Sequence, residues 1–155
     1  EPRNELAVWA KHLPSGESRW FPTQKSAAES LGLDTGAVAR CMLGEYKQTN
    51  GYQFERSKSV RIDGEEWKQI PSHKGCFVSS SGRLQYGNVE PYFPKARASG
   101  YCHFAHMHVG RIVLAAFVGP PPTPSHTCHH LNCNRSDNNV GNLSWATPVE
   151  QKNHQ

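Results

Sequence analysis

The 155-residue sequence lacks any apolar run long enough to cross a membrane, and it lacks an apolar leader. Its five cysteines are an odd number, and no two of them form a C-x-x-C pair. We therefore expect reduced thiols and an intracellular protein, in a nucleus, an organelle or a bacterial or phage cytoplasm. The start at Glu1 suggests that the sequence comes from a trimmed or processed chain.

Glycine and proline are abundant, with 13 and 11 residues, whereas only 36% of the residues are hydrophobic. Because both residues interrupt long helices, we expect turns, loops and short strands rather than a helical bundle. A chain of this length can form one ordinary domain or several small modules, and we expect modules. The net charge of +4 suits a polyanionic partner without requiring one.

The first third of the sequence predicts a small hairpin and two short helices. Apolar residues over 6–10 and 20–21 flank a proline and glycine turn, which indicates paired strands. Thr23 can cap a first helix that ends at Gly32, and Asp34 can cap a second helix. Two helices joined by a tight turn form either a helix-turn-helix unit or a simple packing element.

The second of these helices carries a polar side that favours the helix-turn-helix interpretation. Thr35 and Arg40 would project from it, and Lys47 lies just beyond its end. Such a set could enter a major groove or contact phosphates.

The middle of the chain predicts a small antiparallel sheet with strands over 66–70, 76–79 and 83–85. Lys95 and Arg97 follow in a loop-like stretch. Cations in such loops either contact phosphate or lie on an ordinary solvated surface, and the pattern leaves both alternatives open.

The C-terminal third begins with a core helix and ends with a polar constellation. Apolar residues at helical spacing over 109–117 predict the helix, and a proline-rich linker over 119–125 follows. Next come a strand ending in two histidines, an asparagine-rich loop and the alternating segment Asn142-Leu143-Ser144-Trp145. Thr147-Pro148-Val149-Glu150 then starts a capped helix, so the order is strand, loop, strand, helix.

This order and these motifs resemble the HNH endonuclease family, in its homing-endonuclease branch, over about residues 101–154. The middle segment resembles the DNA-contacting sheet module fused to such nucleases, and residues 20–54 resemble their helix-turn-helix companion. The resemblance implies an α+β fold with three modules. These are a helix-turn-helix-like DNA-binding module over 1–58, a small β module over 59–100 and a ββα-metal nuclease domain over 101–155.

The resemblance also implies roles for four residues of this sequence. His130 corresponds to the family's first histidine, Asn142 lies twelve residues on, and Gln151 lies nine residues after that. His130 would deprotonate the attacking water, and Asn142 would hold the His130 imidazole. His129 and Gln151 would bind one divalent metal ion.

The sequence departs from the family pattern at two of these positions and also at Gly110. His129 stands where relatives often have Asp, so Mg or Mn is expected but Zn or Ni becomes an alternative. Gln151 stands where Asn or His is usual, and Asn153 or His154 could substitute for it. Gly110 replaces a common histidine.

Four cations outside the second helix are expected to contact phosphates: Arg83, Lys95, Arg97 and Arg111. The implied function is a metal-dependent DNA endonuclease, a site-specific homing-type nicking enzyme. It would act as a monomer on double-stranded DNA, with a dimer as the alternative.

Two rival functions stay open at this point. A catalytically silent, sequence-specific DNA-binding protein could use the same scaffold. A zinc-stabilised interaction module could instead use Cys128 and Cys133 as ligands of a structural zinc ion.

Overall fold

The computed structural model describes residues 7–60 and 62–154, without the side chains of Asn153 and His154. Leu6, in the first predicted strand, lies outside the described residues. The elements are β1 (Val8–His12), β2 (Ser18–Phe21), α1 (Gln24–Leu31), α2 (Thr35–Met42), β3 (Tyr52–Arg56), β4 (Trp67–Gln69), β5 (Phe77–Ser79), β6 (Leu84–Gln85), β7 (His103–Phe104), β8 (Met107–His108), α3 (Val109–Phe117), β9 (Thr127–His130), β10 (Leu143–Ala146) and α4 (Pro148–His154). This mixture of helices and small antiparallel sheets confirms the α+β prediction.

The described chain forms two compact units. The N-terminal unit comprises residues up to 60 together with 86–90, and the C-terminal unit comprises 62–85 together with residues from 91 onward. None of the helices in the described ranges is long and apolar enough to cross a membrane.

The N-terminal unit is a three-stranded antiparallel sheet packed against α1 and α2. The strand order is β2-β1-β3, and the predicted hairpin is confirmed by the pairing of β1 with β2. β3 was not predicted, although Tyr52 and Phe54 alternate with polar residues as a half-buried strand requires. Its two aromatic rings pack against a core formed by Val8, Ala10 and Phe21 with Ala27 of α1.

The predicted helix boundaries in this unit are confirmed. Ser26 N donates to Thr23 Oγ1 at 3.0 Å, and Thr23 N donates to Ser26 Oγ at 3.1 Å, which forms a capping box. Gly32 ends α1 in a left-handed conformation. Asp34 precedes α2, but its side chain makes no capping hydrogen bond. The helix-turn-helix interpretation stays a prediction.

A carboxylate fastens the segment 86–90 to the N-terminal unit. Glu90 accepts hydrogen bonds from Trp9 Nε1, from Ser57 Oγ at 2.9 Å and from Lys58 N at 2.8 Å. Residues 59–100 are therefore divided between the two units, and the three-module division stays a prediction.

The C-terminal unit is built around α3. The helix buries Val109, Ile112, Val113 and Leu114, which agrees with the helical spacing of its apolar residues. Ile70, Val78 and Leu84 of the sheet β4-β5-β6 belong to the same core, and so does Leu143 of β10. The small sheet and the C-terminal elements thus share one hydrophobic core.

Gly82 lets the β5–β6 turn approach the loop before β10. Its φ of +92° is disfavoured for side chains other than glycine, and a Cβ there would lie 3.0 Å from both Cβ and O of Asn138. The backbone runs close enough for Val140 N to donate to Ser80 O at 2.8 Å. The loop is therefore held against the sheet.

We predict that Gly82→Ala lowers the free energy of unfolding by about 2–4 kcal/mol, because it adds a steric contact to backbone strain. Gly75→Ala is the matched control, because Gly75 has a φ of +82° with nothing within 4 Å of an added Cβ. Urea unfolding should give the control a smaller loss, of about 1–2 kcal/mol. Equal losses would show that the close approach at Gly82 contributes nothing.

Candidate active site

The candidate site is carried by the β9–β10 hairpin and α4. The strands pair antiparallel, with His130 opposite Leu143 and His129 opposite Ser144. Glu150 N donates to Thr147 Oγ1 at 3.2 Å, and Thr147 Oγ1 donates to Glu150 Oε1 at 2.9 Å. The predicted order of strand, loop, strand and capped helix is confirmed.

Side chains alternate between the two faces of β9. Thr127 and His129 share one face, and Cys128 and His130 share the other. Gln151 of α4 donates from Nε2 to Thr127 Oγ1, which places α4 on the first face. The candidate metal ligands His129 and Gln151 therefore share a face, and the candidate base lies on the opposite one.

Gly110 of α3 covers the face that carries His130. A Cβ on Gly110 would lie 2.6 Å from Cys128 Sγ and 3.4 Å from His130 Nε2. The histidine that relatives carry at this position would not fit here without rearrangement, because the cysteine occupies its space.

The His130 ring is 7% exposed and bonded to the loop. Its Nε2 lies 2.8 Å from Oδ1 of Asn138, which is itself only 5% exposed. The Tyr101 ring lies 6.2 Å away, centroid to centroid. Asn138 was not singled out from the sequence, where it is one of several asparagines in the loop.

Asn142 does not form the expected hydrogen bond to the His130 imidazole. Its Nδ2 donates to Asn132 Oδ1 and to Asp137 O, both at 2.9 Å, and its Oδ1 accepts from Asn132 N at 3.0 Å. Its own carbonyl accepts from Leu131 N at 2.8 Å. Asn142 therefore closes the loop, and it supports His130 only through the backbone.

The pair His129 and Gln151 fits a divalent cation by the chemistry of its donors. Both hydrogen bonds of the Gln151 side chain use Nε2, one to Thr127 and one, at 3.5 Å, to Ala146 O. Because a carbonyl oxygen can only accept, this fixes the amide orientation and leaves Oε1 for a cation. An imidazole nitrogen with an amide oxygen suits a borderline divalent ion.

The described side chains contain no group of three or more His, Cys, Asp or Glu that could hold a metal ion. A cation at His129 and Gln151 would thus complete its coordination with water and phosphate oxygens, as ions at phosphate sites commonly do.

The cysteines give no support to a structural zinc site. Burial raises the pKa of the half-buried Cys128 thiol to about 11, partly offset by Arg111. The neutral thiol is a poor zinc ligand. Cys133 is exposed in the loop, where its backbone NH donates to His130 O at 2.9 Å.

Two other histidines, His103 and His108, lie near His130 in the C-terminal unit. His103 and His108 are paired across β7 and β8 with ring centroids 4.6 Å apart, and Tyr101 lies 4.4 Å from His108. Partial burial lowers the pKa of His108, and His103, His130 and Arg111 lower it further. His108 is therefore largely neutral at neutral pH. The strand pairing that brings these rings together was missed, because two-residue strands leave little pattern.

The residues predicted to contact DNA differ in how exposed their side chains are. Arg40, Lys47, Lys95, Arg97 and Arg111 are exposed, and Thr35 is half-buried at the start of α2. The Arg40 guanidinium donates to Tyr46 Oη at 2.8 Å, and that of Arg111 lies 5.5 Å from the Trp145 ring.

Arg83 is an exception among these residues, because it is buried and paired, and its phosphate contact stays a prediction. The residue is 6% exposed, and its guanidinium forms a bidentate ion pair with the buried Glu65 carboxylate. A buried guanidinium that is already paired with a carboxylate is poorly available to bind a phosphate. Its role is to join the segment before β4 to β6.

We predict that iodoacetamide labels Cys133 readily at pH 7.5 and Cys128 on the order of 100-fold more slowly than an unburied thiol. Raising a thiol pKa from 9.0 to about 11 reduces its thiolate population by that factor. Peptide mass spectrometry reads both sites, and labelling in urea is the control in which they should react alike. If added zinc instead protects both thiols from labelling, the two cysteines bind zinc and the structural zinc site is supported.

Comparison with known proteins agrees with this geometry. Residues 105–152 match the family model described as HNH endonuclease. Residues 12–55 match the model described as DNA endonuclease I-HmuI-like, NUMOD-like domain. A solved structure titled "DNA binding and cleavage by the HNH homing endonuclease I-HmuI" aligns with a TM-score of 0.50 and 24% identity, over 58% of this chain and 57% of that chain.

Two curated relatives come from Acanthamoeba polyphaga mimivirus. "Uncharacterized HNH endonuclease L247" is 24% identical over 90% of this chain and 39% of its own length. "Uncharacterized HNH endonuclease L245" is 20% identical over 86% of this chain and 43% of its own length. The chain thus spans about two fifths of the relatives that it matches. Residues 105–152 are thus similar to the HNH endonuclease family, and residues 12–55 are similar to the I-HmuI-like, NUMOD-like domain.

Proposed function

We propose that the chain is a metal-dependent DNA endonuclease that hydrolyses phosphodiester bonds as a site-specific, homing-type nicking enzyme. One observation carries the proposal. Within the HNH domain, His130 stands hydrogen-bonded on one face of β9, while His129 and Gln151 share the other face, next to α4. Phosphodiester hydrolysis requires a proton acceptor and a cation at the phosphate, and this hairpin carries candidates for both.

In this mechanism, His130 takes the proton of the attacking water. Because its Nε2 is bonded to Asn138, Nδ1 is the ring atom that accepts the proton. The water oxygen forms a bond to phosphorus as the bond to the leaving oxygen breaks. The Tyr101 ring lies close to both His108 and His130 on this face.

His129 and Gln151 Oε1 would hold the divalent ion. When bound, such an ion neutralises charge on the phosphate and on the leaving oxygen. We infer Mg or Mn as the ion, with Zn or Ni as alternatives because an imidazole is a softer ligand than the usual carboxylate. Asn142 keeps the hairpin end closed, so that the neighbouring His129 and His130 stay in place.

The partner is double-stranded DNA. We propose that Thr35, Arg40 and Lys47 contact bases or phosphates from α2, in the region that matches the NUMOD-like domain. Lys95, Arg97 and Arg111 would contact phosphates. Because one chain carries one candidate site, we propose that it acts as a monomer and cuts one strand.

A catalytically silent DNA-binding protein is the second candidate. One observation favours it: Gln151 stands where the family usually has Asn or His. The longer side chain makes ligation of a metal more demanding than it is for Asn.

Nicking of supercoiled plasmid distinguishes the two candidates. We predict that the parent nicks with Mg²⁺ or Mn²⁺ and not with EDTA, and that His130→Ala lowers the rate about 10²–10⁴-fold, because the general base is lost. His73→Ala is the matched control, because His73 lies in the same unit but bonds to Ser72 and contacts Phe104 instead. It should nick like the parent.

The opposite result is equally informative. If neither metal supports nicking while plasmid binding weakens steeply with salt, the chain is a DNA-binding protein on a silent scaffold. If His130→Ala nicks as fast as the parent, another group is the base.

A further inference from the structure

The asparagine that contacts His130 is held from several sides. Asn138 packs against the turn at Gly82, and a Cβ on Gly110 would lie 3.0 Å from its Oδ1. A side chain larger than hydrogen at either glycine would crowd Asn138. The position of the amide is therefore set by the packing of α3 and the β5–β6 turn, not by the exposed part of the loop.

The direction of the hydrogen bond between the two side chains follows from the amide atom that faces the ring. Asn138 Oδ1 lies 2.8 Å from His130 Nε2. An amide oxygen can only accept, so the proton of the neutral imidazole must lie on Nε2. The lone pair is then on Nδ1.

We propose that Asn138, held between Gly82 and Gly110, is the positioning residue for His130 and fixes the imidazole as the Nε2–H tautomer. The inference rests on the proposed role of His130 as the base. It assigns the positioning to Asn138 instead of the Asn142 side chain, which is used within the loop. The packing of α3 and the β5–β6 turn around this amide thereby determines which ring nitrogen receives the proton.

The tautomer can be read directly from two-bond ¹H–¹⁵N spectra of the full chain with ¹⁵N-labelled histidine, in EDTA and without DNA. His130 should show a protonated Nε2 and an unprotonated Nδ1 in its neutral form. Asn138→Ala should give a mixture of both tautomers, whereas Asn138→Asp keeps an acceptor and should restore the parent pattern. Asn139→Ala is the matched control, because the exposed Asn139 bonds to Gly141 N instead.

Single-turnover nicking of supercoiled plasmid with Mn²⁺ adds a functional readout. Asn138→Ala should slow nicking about 10–100-fold at unchanged plasmid affinity, and Asn138→Asp should recover most of the rate. If the parent does not nick, the proposed function fails, but the tautomer measurement still decides the positioning role.

Two results would overturn the proposal. One is a parent His130 that carries its proton on Nδ1, and the other is an Asn138→Ala variant with an unchanged tautomer. If Asn138→Ala does not fold, Asn138→Leu replaces it, because leucine keeps the side-chain volume and removes the acceptor. That variant should also give a tautomer mixture, and an unchanged tautomer in it contradicts the positioning role of Asn138.

Discussion

The hydrogen bond between His130 and Asn138 joins the hairpin to α3 and to the β5–β6 turn of the C-terminal unit. The amide reaches its place because Gly82 and Gly110 allow this turn and α3 to approach it within van der Waals distance. A buried polar pair of this kind must be satisfied, since an unpaired amide or imidazole in the core costs about 1–3 kcal/mol. The β5–β6 turn and α3 therefore contribute to the orientation of the histidine.

The hairpin separates the proposed base from the proposed cation ligands. His130 faces α3 and the buried amide, whereas Thr127, His129 and Gln151 lie on the face next to α4. Cys128 shares the face of His130, and its thiol fills the space that a larger side chain at position 110 would need. The departure at Gly110 is thus a packing change on the side of the proposed base, and it leaves the candidate cation ligands untouched.

Much of the fold could be predicted from local signals. Thr23, Gly32 and the spacing of apolar residues in α3 define helices through caps and periodicity. The contacts that depend on tertiary structure could not. Nothing in the sequence distinguishes Arg83, paired with buried Glu65, from a surface cation. Likewise, several asparagines occupy one loop, and only the packing of distant elements selects Asn138 rather than Asn142 as the partner of His130.

We infer that the cation ligands lie on the α4 face of the hairpin and the base on the other face. Paramagnetic broadening of amide signals during a Mn²⁺ titration tests this arrangement. We expect the signals of Thr127, His129 and Gln151 to broaden first, and this broadening should be lost in His129→Ala. Broadening that instead centres on Cys133 or on the paired His103 and His108 would show that the cation binds elsewhere in the unit and that this arrangement is wrong.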